Sequence, residues 1–251
     1  MKVKSIVALL GLTASLGALA VPLAPNSPAP SVIGPAPGSE SSLQSIANSV
    51  FGPGHINVNT GQSAAGQWSS ATPNFASSIP TLVAEFTANA TTQSFGIWFG
   101  NDTSAILPIN LLLGGATKGE AVGLTINNVT HQLNVFAGGG CGTHFNCGTF
   151  TDARINANAF GFFFQASPSS QIFYSLDQLN APNSRPDRFV GFQDGATTNW
   201  LFAYEDGTDF DYNDMAVKVE SINAVPEPET YAMMLAGLGA MGFMARRRKS
   251  R

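Results

Sequence analysis

The sequence predicts an all-β fold, an antiparallel β-sandwich of jelly-roll-like type with one short N-terminal helix. Short runs rich in Phe, Val, Ile and Thr recur along the chain and are separated by clusters of Gly, Asn, Asp and Pro, the pattern of antiparallel strands and turns. Val217 and Val219 alternate with Lys218 and Glu220, which indicates a sheet with one face in water. No repeat or linker divides residues 39–223, so we expect a single domain there.

The composition excludes several classes of protein. Hydrophobic residues make up 44% of the chain and charged residues only 11%, against roughly a quarter charged in an average soluble domain, so a disordered chain or a coiled coil is ruled out. The basic residues concentrate at the two ends of the chain, and between the ends stand 5 basic and 14 acidic residues. An acidic body of this kind is unsuited to phosphate backbones, so we expect no nucleic-acid partner.

The first 20 residues have the features of a secretory signal peptide. Lys2 and Lys4 precede a short apolar run from Ile6 to Leu16, and small residues stand at Ala18 and Ala20. The apolar run is too short for a membrane helix of about 20 residues, so we expect export and a mature chain that begins at Val21. Residues 21–38, which are rich in proline, read as an extended spacer.

One helix is predicted after the spacer. Ser41 and Gln44 have the spacing of a capping box, and apolar residues from Leu43 to Val50 follow a helical repeat. Gly52-Pro53 should end the helix. From there the period changes, and we expect strands at 81–86, 93–99, 121–126, 131–136, 159–165, 171–175, 188–192, 199–204 and 215–222.

The two cysteines, Cys141 and Cys147, lie close together in a glycine-rich stretch. In an exported protein such a pair usually oxidises, and closing so short a loop would contribute about 2 kcal/mol on the chain-entropy model. The alternative is a zinc site that uses Cys141, His144 and Cys147, with His131 approaching in space. We favour the disulfide.

Catalytic motifs are weak. The stretch from Gly61 to Gly66 misses the G-x-S-x-G spacing by one residue, and the glycine-rich stretches lack the Lys-Ser/Thr of a phosphate loop. Paired carboxylates for glycoside hydrolysis stay open, because their separation in space decides that chemistry. We expect a protein that is not an enzyme.

An acidic stretch near the C-terminus carries the strongest local signal. It does not fit an EF-hand, because Asp214 stands at the turn glycine and a strand-like pattern begins at Met215. What is left is a cluster of hard oxygen ligands suited to calcium, and in an extended chain Asp209, Asp211 and Asn213 would point one way. An Asx-rich turn that bonds to backbone N–H groups is the competing interpretation. The candidate ligands are Glu205, Asp206, Asp209, Asp211, Asn213 and Asp214.

The C-terminal tail, residues 224–251, has three parts. Pro226, Glu227 and Pro228 precede an apolar run from Tyr231 to Ala245, and a basic cluster follows. A helix over that run would rise about 22 Å, short of a hydrocarbon core of about 30 Å, and the basic cluster would stay in the cytoplasm. A plain membrane anchor would give the same topology without processing.

This order of motif, short apolar helix and basic tail resembles the PEP-CTERM sorting signal of Gram-negative bacteria. The resemblance implies a membrane enzyme, exosortase, as processing partner. It also implies a precursor anchored in the inner membrane, followed by a final location at the cell surface or in the extracellular matrix.

The body also resembles a family of exported β-domains of unknown function that often accompany such tails. The likeness lies in Ala159–Phe164, in Phe173–Ser175 and in the stretch 200–219 with its Asp209-Phe210-Asp211-Tyr212-Asn213-Asp214 motif. It implies a surface location and a calcium ion as cofactor, and it brings no established activity.

We therefore expect an exported, non-enzymatic cell-surface protein or a matrix protein associated with exopolysaccharide. The alternative is a carbohydrate-binding module of the envelope or biofilm matrix. That function would require Trp68, Trp98 or Trp200 to be exposed as a stacking platform.

Overall fold

The structure is a computed structural model of the 251-residue chain. It describes residues 33–36, 38, 40–72, 91–180 and 188–225, the backbone of 75–78 and 81–85, and short helical pieces at 235–238, 240–241 and 244. The predicted signal peptide, most of the spacer and the Pro-Glu-Pro motif lie outside these residues.

Between residues 33 and 225 the regular secondary structure that is described is mostly β, with one α-helix and one short 3₁₀ turn at Asp177–Leu179. The helix α1 spans Leu43–Phe51. In chain order the strands are β1 Gln62–Ser63, β2 Trp68–Ser70, β3 Phe75–Ser78, β4 Thr81–Glu85, β5 Ser94–Phe99, β6 Leu107–Leu112, β7 Gly123–Asn127, β8 Gln132–Phe136, β9 Gly148–Thr151, β10 Gly161–Gln165, β11 Ile172–Tyr174, β12 Phe189–Gln193, β13 Trp200–Tyr204, β14 Met215–Val219 and β15 Ile222–Ala224.

Every strand predicted from the sequence is present, and every described pairing is antiparallel. The strands that the sequence did not reveal are β1, β2, β3, β6 and β9. Most of these are short or rich in Ser, Thr and Gly, and β6 contains Pro108. Proline is tolerated there because β6 is an edge strand that pairs only with β5 among the described strands.

The strands form four sheets, where a simple jelly roll has two. The two larger sheets have the orders β1-β12-β13-β14-β4 and β11-β10-β5-β6, and the others are β3-β7-β8-β9 and β15-β2. One cause is Ser221, whose φ of 64° breaks the single strand predicted for 215–222. The residues after this break leave β14 and pair with β2.

Aromatic rings join the two larger sheets. Phe162 of β10 lies 4.9 Å from Phe202 of β13, and Phe164 lies 5.3 Å from Tyr204, measured between ring centroids. These four side chains are at most 1% exposed. The two sheets therefore face each other across a shared aromatic core, the arrangement of a sandwich.

The outer face of the β12-β13-β14 sheet is also covered. Leu43, Ile46 and Ala47 of α1 pack with Phe192 and Leu201 in a second apolar cluster. Because β13 is covered on both faces, all five of its residues are buried, and its sequence is continuously apolar rather than alternating. Along β14, Val217 and Val219 are buried and Lys218 is only partly buried, as the alternation predicts. The expectation that the other face lies in water is wrong, because Ala216 on that face is buried in the apolar cluster with α1.

The helix begins one residue later than the sequence predicts. Its N-cap is Ser42, whose side chain accepts a hydrogen bond from the N–H of Ser45, and the predicted cap Ser41 lies outside the helix. Gln44 binds the backbone of Ile56 instead of closing a capping box. The helix ends at Gly52 as expected.

The three tryptophans do not form a binding platform. Trp68 and Trp98 are 0% exposed and Trp200 is 1% exposed. Trp68 packs against Phe202 at 4.7 Å and Trp200 at 5.5 Å, in the core between the sheets. The alternative of a carbohydrate-binding module loses the exposed tryptophan on which it rested.

Several strand glycines lie opposite aromatic residues of the neighbouring strand. Gly161 pairs with Trp98, and Gly96 pairs with Phe163. A Cβ at Gly161 would lie 2.3 Å from the Trp98 ring, and one at Gly96 would lie 2.2 Å from the Phe163 ring. Glycine at these positions lets each ring lie flat over the adjacent backbone, so the Phe-Gly-Phe pattern of β10 is a packing feature.

The predicted membrane helix, Tyr231 to Ala245, falls mostly outside the described residues. Those residues of it that the structure describes are helical. Among all described residues, no helix combines the length and the apolar character needed to cross a membrane.

The contact between Gly161 and the Trp98 ring predicts that adding one methyl group at position 161 destabilises the fold. Gly161→Ala should lower the free energy of unfolding by about 1–3 kcal/mol, because the buried Trp98 ring has no room to move away. Gly138→Ala is the matched control, since no atom lies within 4 Å of its added Cβ. Urea unfolding of the two variants and the wild type measures the difference, and equal stabilities for both variants would contradict the packing role.

Candidate metal centre

The acidic stretch forms the connection between β13 and β14, which we call the acidic loop, residues 205–214. Its ends are fixed because Tyr204 pairs with Met215 at the end of the two buried strands. The sequence predicted an extended chain here, and this prediction is wrong. Phe210 and Tyr212 have φ values of 56° and 55°, in the left-handed region that non-glycine residues adopt only at a cost. The side chains of this part of the loop therefore do not point alternately to opposite sides as in a strand.

Glu205 anchors the start of the loop and is 0% exposed. One carboxylate oxygen accepts a hydrogen bond from the N–H of Gly207 at 2.7 Å, and the other accepts from the N–H of Tyr212 at 3.3 Å. Burial raises the pKa of the Glu205 carboxyl, while these two backbone hydrogen bonds act in the opposite direction. Glu205 thus ties together the two halves of the loop.

The aspartates of the second half are also buried. Asp211 is 1% exposed and accepts a hydrogen bond through Oδ1 from the N–H of Asn213, the bond of an Asx turn. Asp214 is 8% exposed, and its Oδ2 accepts from the N–H of Asp206 at 2.6 Å. Burial raises the pKa of Asp211 to about 6 and that of Asp214 to about 8, and neighbouring carboxylates add to both shifts.

Three of the six predicted ligands come together. Oxygen atoms of Glu205, Asp209 and Asp211 lie within 4.8 Å of one another. Calcium binds oxygens at about 2.3–2.6 Å, so atoms separated by up to about 5 Å can reach the same ion. Asp209 is exposed and the other two are buried, which places this group at the rim of the loop.

Two of the other predicted ligands, Asp214 and Asn213, form hydrogen bonds to the protein. Asp214 holds the backbone of Asp206, and Asn213 donates its side-chain N–H to the carbonyl oxygen of Ser41 at 3.2 Å. The Asx-turn interpretation accounts for the contact of Asp214, whose carboxylate accepts from a backbone N–H of the same loop, but not for that of Asn213, which donates to a distant carbonyl oxygen. It does not account for Oδ2 of Asp211 or Oδ1 of Asn213, which are buried and accept no hydrogen bond from the part of the chain that the structure describes.

Arg188 forms an ion pair at the start of the loop. Its guanidinium donates to the carbonyl oxygen of Gly207 and lies 3.9 Å from Oε1 of Glu205. It also stacks on the ring of Phe210, 5.2 Å from the centroid. Arg188 offsets part of the charge of Glu205, but one guanidinium does not balance the several carboxylates of the loop.

Sequence reasoning missed one member of the site, Glu40. Its carboxylate lies 3.4 Å from the side-chain nitrogen of Asn213, although the two residues are 173 positions apart. Its negative charge contributes to the raised pKa of Asp211. No motif marks Glu40, because only the folded chain brings the start of the helix to the acidic loop.

The cysteine site is settled in favour of the disulfide. Cys141 and Cys147 are joined with an S–S distance of 2.04 Å, so neither sulfur is a thiolate that could bind zinc. His144 points its Nδ1 at the carboxylate of Glu120 at 3.1 Å, and His131 binds the carbonyl oxygen of Ile155. The disulfide loop borders a cleft of about 480 Å³ lined by Glu120, Ala121, Ala137, Gly138, Gly139, Gly140, Gly142, Thr143, His144 and Phe145.

The tail matches a known family model. Residues 224–249 match the model described as PEP-CTERM protein-sorting motif. The chain therefore carries a PEP-CTERM sorting motif. This motif indicates an exported protein that is sorted by an exosortase, as the tail predicted. No curated protein and no solved structure matches the chain, so the resemblance of the body to exported β-domains stays a prediction.

The buried aspartates predict a pH dependence for the metal-free chain. Because folding raises the pKa values of Asp211 and Asp214 above the ordinary value of 3.8, the folded state holds protons that the unfolded state releases between pH 4 and pH 8. Stability is therefore highest at the acidic end of this window and falls as the pH rises through it. In EDTA, the melting temperature should be lower at a pH of about 8 than at about 5.

The double variant Asp211→Asn/Asp214→Asn is the control, since amides keep oxygen acceptors and do not titrate. Its melting temperature should change less across the same window. A wild-type melting temperature in EDTA that rises towards pH 8 would show that these carboxylates are not protonated on folding.

Proposed function

We propose that this chain is an exported, non-enzymatic protein of the cell surface or the exopolysaccharide matrix, whose β domain binds a calcium ion in the acidic loop. An exosortase-type enzyme removes its tail after a precursor anchored in the inner membrane has formed. The proposal has two independent parts, the sorting of the chain and the ion in the loop.

Two features support the sorting part. The PEP-CTERM motif covers residues 224–249, and the first 20 residues have the composition of a signal peptide. The Cys141–Cys147 disulfide is in keeping with an oxidising compartment outside the cytoplasm. The location at the cell surface or in the matrix is a further step, which we infer from export and sorting by the tail.

One observation carries the calcium part, the second carboxylate oxygen of Asp211. This oxygen is buried and has no hydrogen-bond partner among the described residues, and Asp211 is one of the three residues that bring carboxylate oxygens within 4.8 Å of one another. A buried charged oxygen without a partner is costly, and a cation offsets that cost. Glu205, Asp209 and Asp211 would hold the ion, and oxygen ligands of this kind suit calcium.

Processing of the tail predicts a measurable loss of mass. The protein exported by its native host should begin at Val21 and end near residues 226–230, because the motif directs cleavage next to it. Intact-mass measurement of the exported protein checks both ends. The triple variant Pro226→Ala/Glu227→Ala/Pro228→Ala should keep the tail, and Glu229→Ala, just outside the triplet, is the matched control. An exported wild-type chain that still ends at Arg251 contradicts processing.

Calcium binding predicts a gain in thermal stability. Extracellular calcium sites bind at about 10⁻⁴–10⁻³ M, so millimolar calcium should stabilise the full-length chain by about 1–2 kcal/mol, or a few degrees in melting temperature. Magnesium should have less effect, because it demands a tighter octahedral geometry. Thermal melts in calcium, magnesium and EDTA measure these differences.

Variants separate the site from a general effect of charge. Asp211→Asn should abolish the calcium response, and Asp209→Asn should weaken it. Asp102→Asn changes a partly buried aspartate that lies outside the acidic loop and accepts a hydrogen bond from the N–H of Ser104, so it should leave the response intact. Identical midpoints for the wild type in all three solutions would leave the Asx-rich turn as the explanation of the loop.

A further inference from the structure

The segment that leads into the helix lies across the acidic loop. We call it the N-terminal segment, the described residues among 33–41. The N–H of Gly34 donates to the carbonyl oxygen of Phe210 at 2.6 Å. A Cβ on Gly34 would lie 2.1 Å from the carbonyl oxygen of Asp209, so only glycine allows so close an approach. Ile33 packs against the apolar cluster that contains Tyr212.

The far end of this segment meets the loop through side chains. The side-chain nitrogen of Asn213 donates to Oε2 of Glu40 and to the carbonyl oxygen of Ser41. Glu40 is only partly buried and forms no ion pair with any cation that the structure describes. A negative charge is thus held beside the group formed by Glu205, Asp209 and Asp211.

The strength of the repulsion between Glu40 and the loop carboxylates depends on the ion. Without a cation, Glu40 and the loop carboxylates repel each other, and docking of the N-terminal segment is weakened. A divalent cation bound by Glu205, Asp209 and Asp211 offsets most of their negative charge, so the repulsion of Glu40 falls and docking of the N-terminal segment is strengthened. Because linkage is reciprocal, docking of the segment must then strengthen ion binding by the same factor as the ion strengthens docking.

We propose that a divalent cation in the acidic loop fastens the N-terminal segment to the domain, with Glu40 as the positioning residue that links the two. This inference rests on the proposed calcium site. It adds that the bound ion controls whether the N-terminal segment is docked on the domain. The site itself stands on the buried, unpartnered oxygen of Asp211 in addition to the acidic cluster. Millimolar calcium outside the cell would hold down the start of the domain, and loss of calcium would release it.

Hydrogen exchange followed by mass spectrometry on the full-length chain tests the inference. In millimolar calcium, peptides covering residues 33–41 should exchange more slowly than in EDTA, by between about 5-fold and 150-fold, the usual range of coupling between two sites. Peptides from β10, which lies outside the loop, should change far less. Calcium affinity is measured in parallel from the melting temperature.

Glu40→Gln gives the decisive comparison. It removes the charge and keeps an oxygen acceptor for Asn213, so the segment should exchange more slowly than the wild type in EDTA and should respond less to calcium. Its calcium affinity should fall several-fold. Glu220→Gln is the matched control, since Glu220 pairs with Lys218 and lies outside the loop, and it should behave as the wild type.

A second variant covers the backbone contact. Gly34→Ala should speed exchange of the segment in both solutions and weaken calcium binding, because the added Cβ collides with the carbonyl oxygen of Asp209. If calcium fails to raise the melting temperature, the proposed calcium site is wrong and this inference falls with it. If calcium raises the melting temperature but exchange of residues 33–41 is unchanged, or if Glu40→Gln behaves as the wild type, only the inference is overturned.

Discussion

The packing of aromatic rings between the two larger sheets is the constraint on which the rest of the structure depends. Phe162 and Phe164 of one sheet interlock with Phe202 and Tyr204 of the other, and α1 covers the opposite face of β13. Coverage on both faces buries β13 completely. The loop that follows must therefore start inside the protein, which is why Glu205 has no exposed surface.

Burial of the acidic loop brings carboxylates close together in a poorly solvated place, and the described contacts offset only part of their repulsion. Backbone N–H groups satisfy both oxygens of Glu205 and one oxygen of Asp211, and Arg188 supplies one positive charge nearby. Two left-handed aromatic residues in the same loop add backbone strain. Such strain persists when the surroundings fix the conformation, as the buried Tyr212 ring and the Arg188–Phe210 contact do here. A bound cation would relieve the repulsion that is left.

The acidic loop is also the place where the start of the domain is attached. The N-terminal segment crosses the loop on the way from the spacer to the helix. An ion bound there would act on the junction between the spacer and the domain. This position gives the proposed calcium site a consequence for the chain outside the domain.

The sequence by itself determined the β class, the positions of the predicted strands, the sorting motif and the pairing of the two cysteines. It could do so because each of these depends on neighbours within a few residues, such as alternating apolar residues, a three-part tail or a short cysteine loop. It placed Glu205, Asp209 and Asp211 in one acidic stretch, but the extended conformation that it suggested was wrong, since the signs of φ at Phe210 and Tyr212 follow from packing.

Tertiary structure alone decided the remaining features. It buried all three tryptophans, split the last predicted strand at Ser221 and brought the side-chain nitrogen of Asn213 to the carboxylate of Glu40. Glu40 and Asn213 are 173 residues apart, so no local pattern could join them. The physical reason is that burial and charge contact depend on which surfaces meet after folding, whereas strand and motif patterns depend on the order of residues along the chain.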